Sequence, residues 1–84
     1  MRYVIDIDGT ICTNENGNYN FAKPYSDRIQ KINELYDSGH TIILFTARGM
    51  GRNDNNRAKA YEEFYDLTLE QISKWNVKFH MPLH

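Results

Sequence analysis

The sequence has little of what marks secreted, membrane or nucleic-acid-binding proteins. It contains a single cysteine, Cys12, which excludes an internal disulfide and is consistent with a reducing, cytoplasmic location. No apolar run approaches the roughly 20 residues that span a bilayer, so no membrane association is expected. The formal net charge of −1 provides no general attraction to nucleic acid or acidic lipid.

The 84 residues are enough for one small domain with a thin core. A chain of this size buries only about 60% of the surface that its unfolded state exposes. Hydrophobic residues make up 40% of the sequence and charged residues 25%, which is typical of a globular domain. Neither an internal repeat nor a linker-like segment divides the sequence, so we expect a single domain over residues 1–84.

The most informative stretch is an apolar run that ends in two aspartates. Tyr3–Ile7 is rich in β-branched residues and is soon followed by Gly9, which predicts a buried strand. Asp6 and Asp8 would share one face of this strand, roughly 6.5–7 Å apart. Two carboxylates at that separation repel by about 2–3 kcal/mol at an effective dielectric of about 20. A bound cation, or a reaction that needs two carboxylates, would explain this penalty.

Alternating strand and helix patterns follow along the chain. Apolar spacing predicts a helix that Pro24 opens and Gly39 ends, and Thr41–Thr46 is a second apolar strand. A helix that connects two such strands predicts parallel pairing. A third strand, Asn76–His80, is expected next, which predicts a three-stranded parallel sheet in the order first, second, third.

Two polar segments lie where the strands end. Ile11–Lys23 is rich in asparagine, and Asn16–Gly17 predicts a tight turn in a small hairpin, with an ordinary surface loop as the alternative. Ala47–Asn56 contains two glycines, which let backbone N–H groups approach an oxyanion. Arg48 in this loop suits either bidentate phosphate binding or pairing with a neighbouring carboxylate.

The residues after the second polar segment predict two short helices. Arg57–Tyr65 has apolar residues at helical spacing. Thr68 and Gln71 have the spacing of a capping box, which marks a helix start. We therefore expect a break near Asp66 and a second helix through about Trp75.

These motifs together resemble a known family. The run Asp6–Thr10 (DIDGT) is similar to the first signature of the haloacid-dehalogenase-like (HAD) superfamily of phosphohydrolases. Thr46, at the end of an apolar strand, resembles the second signature, and Phe45–Gly51 resembles small HAD proteins of the capsular-polysaccharide phosphatase type. The likeness extends to about His80. It implies an α/β fold, a HAD-like Rossmannoid three-layer sandwich with a short parallel sheet and no cap domain.

The resemblance implies a magnesium-dependent phosphohydrolase. Asp6 would attack phosphorus and form an aspartyl-phosphate, while Asp8 would protonate the leaving oxygen and then activate water. Mg²⁺ would bind at Asp6 and Asp8, through the carboxylate of the first and the backbone carbonyl of the second. The substrate is expected to be a small phosphorylated molecule such as a sugar phosphate. The residues assigned to substrate binding are Gly9, Thr10, Thr46, Ala47 and Arg48.

The resemblance covers only the first half of a HAD domain. The family's lysine signature, and the acidic signature that completes its magnesium site, have no counterpart after Phe79. We therefore expect a partial, truncated domain, and two alternatives stay open. One is a binding or interaction module that keeps the half-fold without turnover. The other is a phosphatase of nucleic-acid ends, which the net charge of −1 disfavours.

The truncation also predicts self-association. In the family the first strand is central, whereas here nothing in the sequence remains to cover its outer edge. An unpaired apolar edge invites pairing with another chain. We therefore expect a homo-oligomer, most simply a two-fold dimer in which the first strands pair antiparallel.

Overall fold

The structure is a computed structural model that describes residues 1–15, 18–50 and 56–84. In these ranges the chain forms a small α/β fold of two strands and two helices, with a 3₁₀ turn before the first helix. The elements are β1 (Arg2–Asp6), the 3₁₀ turn (Tyr19–Phe21), α1 (Ser26–Asp37), β2 (Thr41–Phe45) and α2 (Arg57–Lys74). Neither helix is long and apolar enough to cross a membrane.

β1 and β2 form a parallel pair, as the strand–helix–strand pattern predicts. Arg2 lies opposite Thr41 and Asp6 lies opposite Phe45. The amide of Ile7 continues the pairing beyond β1, since it donates to the carbonyl of Phe45 at 3.1 Å. Parallel strands end at the same edge of the sheet, so this register brings the two predicted signatures together.

The predicted third strand, Asn76–His80, does not form in the part of the chain that the structure describes. The chain after α2 nevertheless runs along β2. The amide of His80 donates to the carbonyl of Ile42 at 2.8 Å, and the amide of His84 donates to the carbonyl of Leu44 at 3.0 Å. These contacts do not extend into a regular ladder, so the sheet has two strands and the prediction of three is wrong.

Two local features account for the missing ladder. Pro82 lies between the two backbone contacts and has no N–H to donate. The amide of Ile42 donates to Nδ1 of the His80 side chain at 3.1 Å, where a regular strand would offer a backbone carbonyl. β2 therefore gains a neighbouring segment without gaining a paired strand.

Helix α1 confirms the predicted end and shifts the predicted start. It begins at Ser26, two residues after Pro24, with Tyr25 in the capping position. After the helix, Gly39 adopts a φ of 95°, a left-handed conformation that glycine accepts without strain. Ile29 and Ile32 are the buried residues of this helix.

Helix α2 is continuous, so the predicted break near Asp66 is wrong. Asn56 caps the helix start with its side chain. Thr68 is an interior residue, because its hydroxyl donates to the carbonyl of Phe64 at 2.7 Å, one turn earlier. Gln71 directs its side chain away from the helix backbone, to the carbonyl of Tyr19. Thr68 and Gln71 therefore have the spacing of a capping box but do not cap a helix.

In its described residues, the asparagine-rich segment is held together at its two ends and does not form the two strands of the predicted hairpin. Its ends are tied by two hydrogen bonds: the amide of Thr13 donates to the carbonyl of Lys23, and the amide of Lys23 donates to the hydroxyl of Thr13, both at 2.9 Å. Tyr19–Phe21, the predicted returning strand, is the 3₁₀ turn. The predicted turn at Asn16–Gly17 lies outside the described residues.

The core anchors the loop that follows β1 on both sides. Ile7 and Ile11 are fully buried, together with Ile42 and Leu44 of β2. Ile7 and Ile11 flank residues 8–10, which carry most of the first predicted signature. Burial of apolar side chains before and after this short loop holds its backbone in place.

Candidate functional site

The candidate site lies where β1 and β2 end side by side. Asp6 is the last residue of β1, and Thr46 directly follows β2. The loop after β1 turns sharply at Gly9, whose φ of 84° favours glycine. The structure therefore places Asp6 and Thr46, from the two predicted signatures, at one edge of the sheet.

The backbone of the first loop is tightly hydrogen-bonded within itself. The amide of Gly9 donates to the carbonyl of Cys12 at 2.8 Å, and the amide of Thr10 donates to the carbonyl of Ile7 at 3.2 Å. Outside the loop, Arg28 of α1 donates from Nη1 to the carbonyls of Gly9 at 3.0 Å and Thr10 at 3.2 Å. The loop is thus preformed, and the predicted roles of Gly9 and Thr10 in substrate binding stay predictions.

Asp6 is a partly buried carboxylate without an ion pair in the part of the chain that the structure describes. Burial raises its pKa above the ordinary value, and the negative charge of Asp8 raises it further. A hydrogen bond from the backbone N–H of Ile7 opposes this effect. An approaching cation would relieve both the repulsion and the desolvation.

Asp8 is in the opposite situation, because Arg48 neutralises it. Nε of Arg48 lies 3.2 Å from Oδ1 and 3.1 Å from Oδ2 of Asp8, and Nη2 lies 3.0 Å from Oδ1. The Asp8 side chain is 15% exposed and that of Arg48 is 0% exposed. This forked geometry is the strong form of an arginine–carboxylate pair.

The remaining donors of Arg48 are also occupied. Nη1 donates to Oγ1 of Thr68 at 3.3 Å and to Oε1 of Gln71. The guanidinium carbon lies 4.9 Å from the centre of the Tyr19 ring, a cation–π contact. The structure therefore shows the carboxylate-pairing alternative for Arg48. Its assignment to substrate binding stays a prediction.

The second loop is ordered by hydrogen bonds at its start. The amide of Arg48 donates to the hydroxyl of Thr46 at 3.1 Å, and the amide of Gly49 donates to the phenolic oxygen of Tyr19 at 3.1 Å. Ala47, which lies between Thr46 and Arg48 in the chain, is exposed. Residues 51–55 of this loop lie outside the described residues.

A pocket lies between the second loop and α2. It has an empty volume of about 370 Å³, part of which is open solvent. Its lining includes Thr46 and Arg48 as well as the aromatic side chains Tyr61, Phe64 and Tyr65, but neither Asp6 nor Asp8. The pocket therefore shares Thr46 and Arg48 with the aspartate edge but does not include the two carboxylates.

Cys12 adjoins the ion pair without the properties of a nucleophile. Its Sγ lies 3.7 Å from Oδ1 of Asp8 and 3.7 Å from Nη2 of Arg48. Burial, with the charge of Asp8, raises the pKa of the thiol to about 11. The thiol is therefore protonated at neutral pH and serves as a packing and hydrogen-bonding group.

The donor set at this edge fits a divalent cation that relies on few protein ligands. Residues 1–15, 18–50 and 56–84 contain no cluster of three or more His, Cys, Asp or Glu side chains placed to hold a metal. Mg²⁺ commonly binds through one or two carboxylates, with water and substrate phosphate oxygens completing its shell. Asp6, with its raised pKa and no cationic partner among the described residues, suits that role.

Reasoning from sequence missed the residues that surround the ion pair. Thr68 and Gln71 were noted for a capping box and prove to hold Arg48. Tyr19 and Arg28 carried no signal at all, because their contacts join residues far apart in the chain. A prediction of which face of α2 meets the second loop would have found Thr68 and Gln71.

Comparison with known proteins supports the fold and assigns no activity. No protein-family profile matches the chain, and no curated protein matches it significantly. The fold is similar to the crystal structure of a structural-genomics target from Vibrio cholerae, with a TM-score of 0.88 and 26% sequence identity. The match covers 98% of this chain and 67% of the Vibrio cholerae chain.

Proposed function

We propose that this chain carries the nucleophile half of a magnesium-dependent phosphohydrolase of the HAD type. The fold would then be part of a HAD-like Rossmannoid sandwich, and the substrate a phosphomonoester such as a small sugar phosphate. The supporting observation is that Asp6, Asp8 and Thr46 meet at the carboxyl edge of a parallel strand pair. Ligands of open α/β sheets bind at this edge.

Asp6 is the nucleophile in this proposal. Its carboxylate attacks phosphorus, a P–O bond forms to Asp6, and the bond to the leaving alcohol breaks. The raised pKa of Asp6 means that its ionised form is more basic than that of an ordinary aspartate, which favours attack. When bound, Mg²⁺ supplies charge neutralisation for the phosphoryl oxygens.

Asp8 and Thr46 support the two chemical steps. Asp8 enters the first step in its protonated form, gives that proton to the leaving oxygen and becomes the carboxylate that pairs with Arg48. In the second step this carboxylate accepts a proton from the water that hydrolyses the aspartyl-phosphate, which restores the protonated form. The hydroxyl of Thr46, at the neighbouring strand end, donates a hydrogen bond to the phosphoryl group. Its oxygen already accepts from the amide of Arg48, which leaves the hydroxyl proton available to a ligand.

The deciding experiment compares Asp6→Asn with the parent chain. We expect the parent to hydrolyse a generic aryl phosphate in the presence of Mg²⁺ and the variant to fall to background, because an amide cannot attack phosphorus. Asp37→Asn is the matched control, since it removes an exposed carboxylate elsewhere in the fold. Equal rates for Asp6→Asn and the parent would show that Asp6 is not the nucleophile.

A binding module without turnover is the second candidate. It is favoured by the complete engagement of Asp8 with Arg48, which leaves Asp6 as the carboxylate with no ion pair at this edge of the described chain. This candidate predicts Mg²⁺-dependent binding of inorganic phosphate, abolished by Asp6→Asn, with no hydrolysis by the parent. Hydrolysis by the parent that Asp6→Asn abolishes would exclude it.

We also propose that the chain self-associates through β1. In the described residues β1 pairs with β2 alone, so its outer edge carries unpaired backbone groups. Val4 is 59% exposed and Phe45 is 36% exposed, and the strand register places them on the same side of the sheet, where Asp6 also projects. Light scattering over a dilution series should give a mass above the monomer, and a monomer at all concentrations would contradict this.

A further inference from the structure

A closed polar cluster links the candidate site to the middle of α2. Arg48 is its centre, and Asp8, Thr68, Gln71 and Tyr19 surround the guanidinium. The arginine side chain is 0% exposed. Its members come from the loop after β1, the loop after β2, the 3₁₀ turn and α2, so four separate parts of the chain meet at one guanidinium.

The geometry of the cluster leaves Arg48 no open side for a phosphate. Nε and Nη2 face the Asp8 carboxylate, and Nη1 faces Thr68 and Gln71. The Tyr19 ring lies 4.9 Å from the guanidinium carbon. A phosphate could reach these donors only by displacing Asp8, whose charge would then be left partly buried and unpaired.

We propose that Arg48 is a positioning residue that fixes the Asp8 carboxylate beside Asp6, and that it does not bind the substrate phosphate. This inference rests on the proposed function. Thr68 and Gln71 set the plane of the guanidinium, and the guanidinium in turn sets the plane of the Asp8 carboxylate. The planar fork of arginine transmits this orientation, whereas the single ammonium group of lysine would not.

The backbone of Tyr19 is part of the same arrangement. Nε2 of Gln71 donates to the carbonyl of Tyr19 at 2.7 Å, and the Tyr19 hydroxyl accepts from the amide of Gly49 at 3.1 Å. The 3₁₀ turn is thereby tied both to α2 and to the second loop. The side chain of Arg48, which pairs with Asp8, is therefore held in place by contacts from α2 and from the 3₁₀ turn.

The first test follows Arg48 directly by NMR, with inorganic phosphate and Mg²⁺ as the probe. We expect phosphate to shift the backbone amides near Thr46 and to leave the Arg48 Nε–H signal unchanged. A shift of that signal on titration would overturn the proposal, since it would place phosphate on the guanidinium. If phosphate shifts no signal at all while the contact between Arg48 and Asp8 is intact, the result would contradict the proposed function and not the positioning role of Arg48.

The second test measures, without any ligand, how the Asp8 carboxylate depends on its contact with Arg48. In Arg48→Lys, the side-chain carboxyl ¹³C signal of Asp8 should move, because the forked contact with the guanidinium is lost. Arg2→Lys is the matched control, because Arg2 is exposed at the far end of β1. An Asp8 signal that is the same in Arg48→Lys and in the parent would overturn the proposal even if the chain has no activity.

Steady-state kinetics separate positioning from binding. For a positioning residue, Arg48→Lys should lower kcat by about 10²-fold, because a misplaced catalytic group loses about that much rate. KM should stay within about twofold, since binding common to ground and transition states is retained. A rise in KM with kcat unchanged would assign Arg48 to substrate binding. Thr68→Val provides a milder variant if Arg48→Lys folds poorly, with the same pattern expected at smaller amplitude.

Discussion

Two ion pairs of similar length stand in very different surroundings. Asp8 and Arg48 approach to 3.0 Å with side chains 15% and 0% exposed, while Asp37 and Lys78 approach to 2.8 Å with side chains 58% and 48% exposed. Exposed pairs contribute about 0–1 kcal/mol, because water screens them. Removing one partner of a buried pair costs about 3–5 kcal/mol. Burial, and not distance, therefore decides which pair matters to the fold.

The largest effect is expected from Arg48→Met. The variant leaves the Asp8 charge partly buried with no counterion and removes the donor to Gln71. We expect the free energy of unfolding to fall by about 3–5 kcal/mol, which is a large share of the stability of a small domain. Urea denaturation followed by circular dichroism measures it.

A double-mutant cycle sharpens this result. Asp8→Asn combined with Arg48→Met removes both charges, so the double variant should be more stable than the sum of the two single losses implies. The same cycle on Asp37 and Lys78 is the surface control. Simple additivity at Asp8 and Arg48 would show that the buried pair is not energetically coupled.

The next effect in size is expected from Gln71→Leu. The change leaves Nη1 of Arg48 with the hydroxyl of Thr68 alone, and the carbonyl of Tyr19 with the amide of Ala22 alone. We expect a loss of about 1.5–3 kcal/mol, the usual contribution of a hydrogen bond to a charged group. Gln30→Leu, at an exposed position of α1, is the control. Equal urea midpoints for both variants would contradict the role of Gln71.

A smaller effect, which depends on pH, is expected from Asp6→Asn. The folded state raises the pKa of Asp6, so its ionised form is less favourable in the folded chain than in the unfolded chain. Asp6 therefore contributes most to the free energy of unfolding at acidic pH, below its pKa in the unfolded chain. This contribution is lost as the pH rises through its pKa in the folded chain. Asp6→Asn should raise the thermal unfolding midpoint at pH 7, and this gain should shrink towards acidic pH. A lower midpoint at pH 7 would contradict the raised pKa.

The smallest effect is expected from Asp37→Asn at the exposed pair. We expect the free energy of unfolding to change by less than about 1 kcal/mol, and the change to shrink further in high salt, because exposed charges are screened. Urea midpoints at low and high ionic strength measure it. A loss comparable to that of Arg48→Met would show that burial does not separate the two pairs.

Features that depend on neighbouring residues could be predicted from the sequence. The apolar runs of β1 and β2, the helix end at Gly39 and the placement of Asp6 and Thr46 at strand ends all follow from local spacing. The parallel pairing also followed, since a helix between two strands favours it. Each of these features depends on a short stretch of chain, in which the spacing of apolar residues or a single glycine predicts one local structure.

Features that join distant residues could not be predicted from local patterns, because they depend on how the whole chain packs. The continuity of α2 overrode a capping-box spacing, because Thr68 and Gln71 are needed on its buried side to hold Arg48. The segment along β2 remained irregular because the Nδ1 of His80 accepts a strand amide and Pro82 cannot donate. The ion pair of Asp8 and Arg48 arises for the same reason: side chains far apart in the chain meet only after the core has packed.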